Sequence, residues 1–381
     1  MKTLRNLGLF AVLAIIAACG GVDGPAGPPT TLQRGISSDP ETLDQHKSRS
    51  IQAADVIRDL GEGLVGYSAT GELVPAAAES WEISDDGLKY TFHLRDGLRW
   101  SNGEALTADH FVAGMRRLVD PSTAAFYAEM LGGLENAEGI TSGDIPVSML
   151  GVEAPDDRTV VLRLVQQTPY LVSLMTHPST FPVHPGSIAE HGDSFARPGK
   201  LVSNGAYVLE AWVPGSVISL RRNEHYWNNA ETAIDAVNYH VMVQDSAELN
   251  RYRAGELHTT STVPPDSFAQ VREEYGDQLN VAPYLGVYYY GYNLTKPPFK
   301  DNVALRQALS MAVDREQLAL KVTGRGEVPA YSWVPQGVNN YEPPLSHFAA
   351  LSKEEREQVA RRLYREAGYS AESPLRIEVR Y

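Results

Sequence analysis

The chain has 381 residues and a net charge of −14, from 33 Lys and Arg against 47 Asp and Glu. That acid excess argues against a phosphate-binding surface, which needs clustered Lys and Arg. With 43% apolar and 21% charged residues, a single Cys and no run of 18 apolar residues, collagen, coiled coil, disulfide-rich miniprotein and polytopic helical membrane protein are excluded. At roughly 150 residues per domain the length suits two or three domains.

The N-terminus carries an address. Lys2 and Arg5 precede an apolar stretch, Leu7 to Ala18, interrupted only by Gly8. That length fits a signal-peptide core and is too short for a bilayer. It ends in Ile16-Ala17-Ala18-Cys19-Gly20, which resembles a bacterial lipobox whose Cys becomes the diacylated mature N-terminus. The alternative is an A-x-A-like cleavage site beside a bystander Cys. Residues 1–18 are therefore read as signal peptide, and 19–31 as lipidated Cys19 plus a Gly/Pro-rich tether. Removing Lys2 and Arg5 takes the charge from −14 to −16. An acidic body tethered to lipid would work outside the cytoplasm, and more than one acyl chain makes such anchoring stable.

Further along, Leu32 to Ile36 predicts a short strand, and Ala53 to Leu64 has helical spacing through Val56, Ile57, Leu60 and Leu64. Trp81 to Leu94 alternates around Asp85-Asp86-Gly87, which predicts a β-hairpin with one buried face. Thr107 starts a helix with Phe111, Val112, Met115 and Leu118 inward, closed by Pro121. Strands are expected at Thr159 to Leu164, Val217 to Leu220 and Val237 to Val243, and a helix from Ala247 to Ala254. Tyr284 to Tyr292 is strongly β-prone. Leu305, Ala308, Leu309, Ala312 and Val313 follow a core-facing helical pattern. Ser352 and Glu355 form a capping box for a helix with Val359, Leu363 and Ala367 inward, ending at Gly368. The alternation of Leu375, Ile377, Val379 and Tyr381 predicts a strand still running at the last residue, so the sequence is expected to be cut inside it.

Reactive constellations are few. Gly61-x-Gly63-x-x-Gly66 matches the dinucleotide pattern, but a helix rather than a strand precedes it. There is no Walker A loop, no H-E-x-x-H and no G-x-S-x-G. His177, His184 and His191 recur every seven residues, yet Pro178, Pro182 and Pro185 prevent one helix from aligning them as metal ligands, so they read as loop or surface histidines. No catalytic residue, metal or cofactor is assigned. Tyr284, Tyr288, Tyr289, Tyr290 and Tyr292 crowd one segment; on a strand Tyr288 and Tyr290 face one way and Tyr289 the other, so one set can line a cleft.

Several ordered motifs carry a resemblance. Ala78 to Gly97 reads AESWEISDDGLKYTFHLRDG, and Trp100-Ser101-Asn102-Gly103 and Leu106 to Phe111 follow. Further on come Asn204-Gly205-Ala206-Tyr207, Arg222 to Trp227, and Val303 to Arg315. Together they resemble the signature of the family 5 extracellular solute-binding proteins. Leu43 to Lys47, Asn250 to Glu256 and the Tyr288-Tyr289-Tyr290 run are most similar to the oligopeptide-binding proteins of ATP-driven peptide importers.

The resemblance implies an α/β, two-lobed periplasmic binding protein (type II-like) with an extra domain inserted in lobe one. Lobe one would comprise 32–61 and 187–285, the inserted domain 62–186, and an incomplete lobe two 286–381. It implies a monomeric lipoprotein that captures short peptides in an interlobe cleft and passes them to a membrane permease, with no nucleic-acid partner. By position in the matching segments, the peptide-binding candidates are Arg49, Ile51, Tyr127, Tyr284 and Tyr289. Arg49 departs from a peptide-binding relative that has an acidic residue there, and could favour an acidic ligand group; a solvated surface Arg is the alternative. Other solutes (dipeptides, nickel chelates, sugars), a secreted hydrolase and a structural surface lipoprotein remain open.

Overall fold

Period-two alternation places most of the strands where the sequence puts them. The computed structural model describes residues 30–282, 284–338 and 341–379. The signal segment, Cys19 and most of the tether lie outside these residues. Among the described residues ten strands form: β1 (Thr31–Ile36), β2 (Val65–Tyr67), β3 (Leu73–Pro75), β4 (Ala78–Ile83), β5 (Lys89–Leu94), β6 (Val152–Asp156), β7 (Thr159–Arg163), β8 (Tyr207–Val213), β9 (Val217–Arg222) and β10 (Ala236–Val241). Residues 30–244 and 251–261 make one unit, and 245–250 with the described residues from 262 onward make a second. The fold is mixed α/β.

The first unit has two cores. One sheet runs β1-β10-β9-β8, with β1 parallel to β10 and the other pairs antiparallel. Its inner face, with Ile36, Leu209, Ile218, Leu220 and Tyr239, packs on the helix Ile51–Leu60 through Ala53, Val56, Ile57 and Leu60. This helix is shorter than the spacing suggested. It stops at Leu60 because Gly61 turns extended, at φ −135° and ψ 156°. Gly63 then passes so close to its neighbours that a Cβ would lie 2.6 Å from the Met175 carbonyl oxygen. The glycine-rich run is a packing turn after a helix, not a phosphate cradle.

The second sheet, β4-β5-β7-β6, is antiparallel. The hairpin forms as expected, with Tyr90, Phe92 and Leu94 on its buried face. The helix Ala108–Val119 lays Phe111, Met115 and Leu118 into the same core as Trp100. β2, β3, β6 and β8 escaped the sequence reading; β2 and β3 are only three residues long, Pro155 interrupts β6, and a bulge between Leu209 and Ala211 breaks the period of β8.

The two cores are sewn together at a narrow seam. The Asn204 side chain accepts from the Glu62 N–H at 3.1 Å and donates to the Glu62 carbonyl at 2.8 Å. Asn223 donates to the Gly205 carbonyl at 2.9 Å. Gly205 itself lies where a Cβ would come within 2.7 Å of the Gly61 nitrogen.

The second unit is helical, and two expectations fail there. Tyr284–Tyr292 and residues 375–379 lie in no β-ladder, although both alternate as strands do. A strand exists only when another strand satisfies its N–H and C=O groups. Among the described residues of this unit no strand offers that edge. The helices Val303–Ala312 and Lys353–Glu366 do form and pack on one another, with Met311, Phe348 and Ala360 as their core. Leu305 and Ala308 point inward as expected, but Ala312 and Val313 are exposed because the helix ends there and Met311 takes the inner position. The Ser352 N–H donates to Glu355 at 2.8 Å, which completes the predicted capping box. No helix of the described residues is long and apolar enough to cross a membrane.

Candidate functional site

One face of the first unit collects three of the five predicted residues. Its base is the turn after β1. The Asp44 carbonyl accepts from the Lys47 and Ser48 N–H groups, and its side chain accepts from His46 N–H at 3.1 Å. Arg117, on the helix Ala108–Val119, grips both Asp44 oxygens at 2.8 and 2.6 Å and donates to His46 Nδ1 at 2.7 Å. Burial alone would raise the Asp44 pKa; the Arg117 hydrogen bonds and charge outweigh it and hold the carboxyl below its ordinary value. The enclosed His46 is pushed down to about 3 by burial and by Arg117, and so stays neutral.

On this base the chain turns into the helix Ile51–Leu60. Ser50 is the N-cap and accepts from Ala53 N–H at 3.1 Å. Glu41 accepts from the Arg49 and Ser50 N–H groups at 2.5 and 3.0 Å and from the Ser50 hydroxyl. Glu41 is thereby committed to the backbone, and the Arg49 guanidinium has no carboxylate partner among the described residues. It lies 5.9 Å from the centre of the Phe126 ring, a cation–π arrangement. Ile51 opens the helix and is 62% exposed.

The second wall follows the helix Ala108–Val119. Phe126 N–H donates to the His46 carbonyl at 3.1 Å, fixing this loop to the base. Tyr127 meets Phe126 edge-on at 4.9 Å and His177 at the same separation. His177 caps the short turn Pro178–Thr180 by accepting from Ser179 N–H at 3.2 Å. Burial and the nearby Arg58 charge push its pKa down to about 4. His184 likewise caps the helix Pro185–His191 and pairs with Glu104 at 2.8 Å. These two histidines are half-buried caps rather than surface residues. Arg49, Phe126, Tyr127 and His177 thus form a continuous cationic and aromatic face with its polar supports beneath it.

Tyr284 and Tyr289 belong to the second unit. They are 77% and 58% exposed, and Tyr289 packs on Trp333 with centroids 4.5 Å apart. A cavity of about 400 Å³ in this unit, lined by Tyr292, Arg306, Gln307, Ser310 and His347, contains neither of them. Sequence reasoning missed Phe126, His177 and Trp333 as neighbours of the candidates. The Phe126-Tyr127 pair was a usable signal, whereas the Arg117–Asp44 grip spans 73 positions and had none.

Comparison with known proteins places the chain in a family. The sequence profile of the bacterial extracellular solute-binding proteins, family 5 (middle), matches residues 72–379. The periplasmic oligopeptide-binding protein OppA of Escherichia coli is 39% identical, across 100% of this chain and 71% of its own length. The probable deoxycholate-binding periplasmic protein YgiS of Escherichia coli is also 39% identical, across 99% and 71%. Among solved structures, the Escherichia coli murein tripeptide binding protein MppA superposes with a TM-score of 0.88 at 36% identity, covering 92% of this chain and 68% of its own. Haemophilus influenzae OppA in complex with RPPGFSPFR gives 0.86 at 37%, covering 92% and 69%. The chain belongs to the bacterial extracellular solute-binding proteins of family 5.

Proposed function

We propose that this protein captures oligopeptides outside the cytoplasm and delivers them to the membrane permease of an ATP-driven importer. The observation that carries the reading is the likeness, at 37% identity and a TM-score of 0.86, to a relative in complex with a nine-residue peptide. In this reading residues 32–61 and 187–285 make lobe one of a two-lobed, type II-like protein, residues 62–186 are its inserted domain, and residues 286–381 belong to lobe two. The protein acts as a monomer and performs no covalent chemistry. Arg49, Ile51, Tyr127, Tyr284 and Tyr289 are the proposed peptide contacts.

The physical task is to hold many sequences with one site. Hydrogen bonds to the peptide main chain meet it, because every peptide presents the same N–H and C=O groups. Side chains then rest in hydrated pockets where water adapts. Aromatic rings such as Tyr127 supply contact area at low entropic cost and keep a polar tip for a partner. A ligand drives any closure only through its better affinity for the closed state.

Calorimetric titration tests this. Scrambling a bound peptide at fixed length should change its affinity by less than about tenfold, roughly 1.4 kcal/mol. Acetylating its amino terminus should cost more, because a charged amine loses its ionic partner. The reverse order would defeat main-chain recognition. Within the same titrations, Arg49 is proposed to favour Glu over Lys in the peptide by about fivefold, the scale of a partly exposed ion pair. Arg49→Ala should erase that preference, and added salt should weaken it in the wild type. A preference unchanged by the mutation would mean that Arg49 only faces solvent.

The equal identity to a probable deoxycholate-binding relative supports a second reading, an amphipathic bile-acid ligand. Heat of binding with deoxycholate and none with peptides would select it. The protein is further proposed to be anchored by lipid at Cys19. Cys19→Ser should then shift it from the membrane to the soluble fraction; unchanged partition would refute the anchor.

A further inference from the structure

The seam between the two cores of the first unit encloses a cavity of about 30 Å³. Leu43, Ile57, Leu60 and Phe181 line it from one core and Trp100 from the other, with Ser203 between them. Among the described residues, five buried side-chain polar atoms have no hydrogen-bond partner in the protein, and two of them, Trp100 Nε1 and Ser203 Oγ, belong to residues that line this one cavity. Both residues are almost fully enclosed, at 1% and 3% exposure.

The indole cannot easily turn away, and the backbone of Ser203 is fixed beside it. The indole is held edge-on by His110 at 5.4 Å and His184 at 5.3 Å. Backbone bonds clamp the two chain segments together: Ser101 N–H donates to the Ser203 carbonyl at 2.7 Å, and Ser203 N–H donates to the Ser101 hydroxyl at 3.0 Å. A buried N–H or hydroxyl without a partner is costly, and native interiors satisfy such groups with protein or with ordered water. An apolar cavity of this size would stay dry, but one water needs only about 10–15 Å³ together with polar partners.

We propose that this cavity is a water-binding site, in which a long-lived internal water accepts from Trp100 Nε1–H and hydrogen-bonds the Ser203 hydroxyl. The water acts as a bridge across the seam. It ties Trp100 to Ser203 beside the Leu43–Gln45 turn, whose other end carries the cationic and aromatic face. Gln45 also lines the cavity and donates to the Pro182 carbonyl at 3.0 Å, so the turn is fixed on that side as well. The proposal stands on the first unit alone and does not depend on which ligand the protein binds.

The test is nuclear Overhauser transfer between water and the indole N–H of Trp100 in the full chain with nitrogen-15-labelled tryptophan. The resonance is assigned by its loss in Trp100→Phe. Laboratory- and rotating-frame measurements separate a bound water from proton exchange. The expected result is a cross-peak with the sign of a long-lived water in the wild type. Ser203→Val, which fills the cavity, should remove that cross-peak while the Trp100 indole resonance remains. No bound-water cross-peak in the wild type, or one unchanged in Ser203→Val, overturns the proposal. Should Ser203→Val fail to fold, a crystal structure at about 1.5 Å decides: a density peak within hydrogen-bond reach of both atoms supports the site, and flat density there overturns it.

Discussion

Arg117→Ala is expected to destabilise the protein by about 3–5 kcal/mol, the cost of leaving one partner of a buried ion pair uncompensated. Asp44 and Arg117 side chains retain only 4% and 16% of their surface, and the pair is bidentate at 2.6 and 2.8 Å. Removing the guanidinium strands the Asp44 carboxylate, takes the donor from His46 Nδ1 and empties the position beside the Phe195 ring, 5.3 Å away. Arg117→Lys should recover little, because an ammonium cannot copy two parallel hydrogen bonds. Urea unfolding at neutral pH measures the loss. Arg163→Ala is the comparison, since Arg163 pairs with Glu153 in solvent at 42% exposure and should change stability by less than about 1 kcal/mol. Equal losses in the two variants would mean that the Arg117 pair does not hold the turn.

Acid should destabilise the protein through His46. The ring is enclosed and neutral in the fold, with its pKa pushed down from 6.5 to about 3. The unfolded chain therefore binds a proton that the folded one refuses. The contribution is fully present above about pH 6.5 and is lost as pH falls from there toward about 3, at about 1.4 kcal/mol per pH unit. His177, lowered to about 4, adds in the upper part of that window. Asp44 acts in the same direction but later: its folded pKa is depressed, so its contribution is present above the unfolded carboxyl pKa, near 3.9, and is lost only as pH drops through the folded value. His46→Gln cannot take up a proton and should flatten unfolding free energy measured between pH 6.5 and 4. A slope as steep as the wild type would place the acid sensitivity elsewhere.

Local chemistry explains how much of the fold was readable. The hairpin Trp81 to Leu94, the helix opened at Thr107 and the capping box at Ser352 rest on contacts within a few residues, and each formed where the pattern placed it. The tyrosine run and residues 375–379 alternate just as well, but a strand also needs a distant edge, which no local pattern reports. The candidate face divides in the same way. Tyr127 and Arg49 could be proposed from aligned segments, whereas the arrangement of Phe126 on His46 and of Tyr127 on His177 depends on contacts across tens of residues.

The seam around Gly205 bears on how solute preference can change over time. The residues that betray the family, among them Trp100, Asn204, Gly205 and Asn223, are enclosed there and have almost no room to vary, since even a methyl group on Gly205 would strike the Gly61 backbone. Arg49, Ile51 and Phe126 stand outside it in solvent, where a typical substitution moves stability by no more than about 0.5 kcal/mol. With Arg49 and Ile51 as proposed solute contacts, the chassis and the palate of this protein are uncoupled. A lineage can sample new diets by exchanging rim side chains one at a time, without passing through poorly folded intermediates.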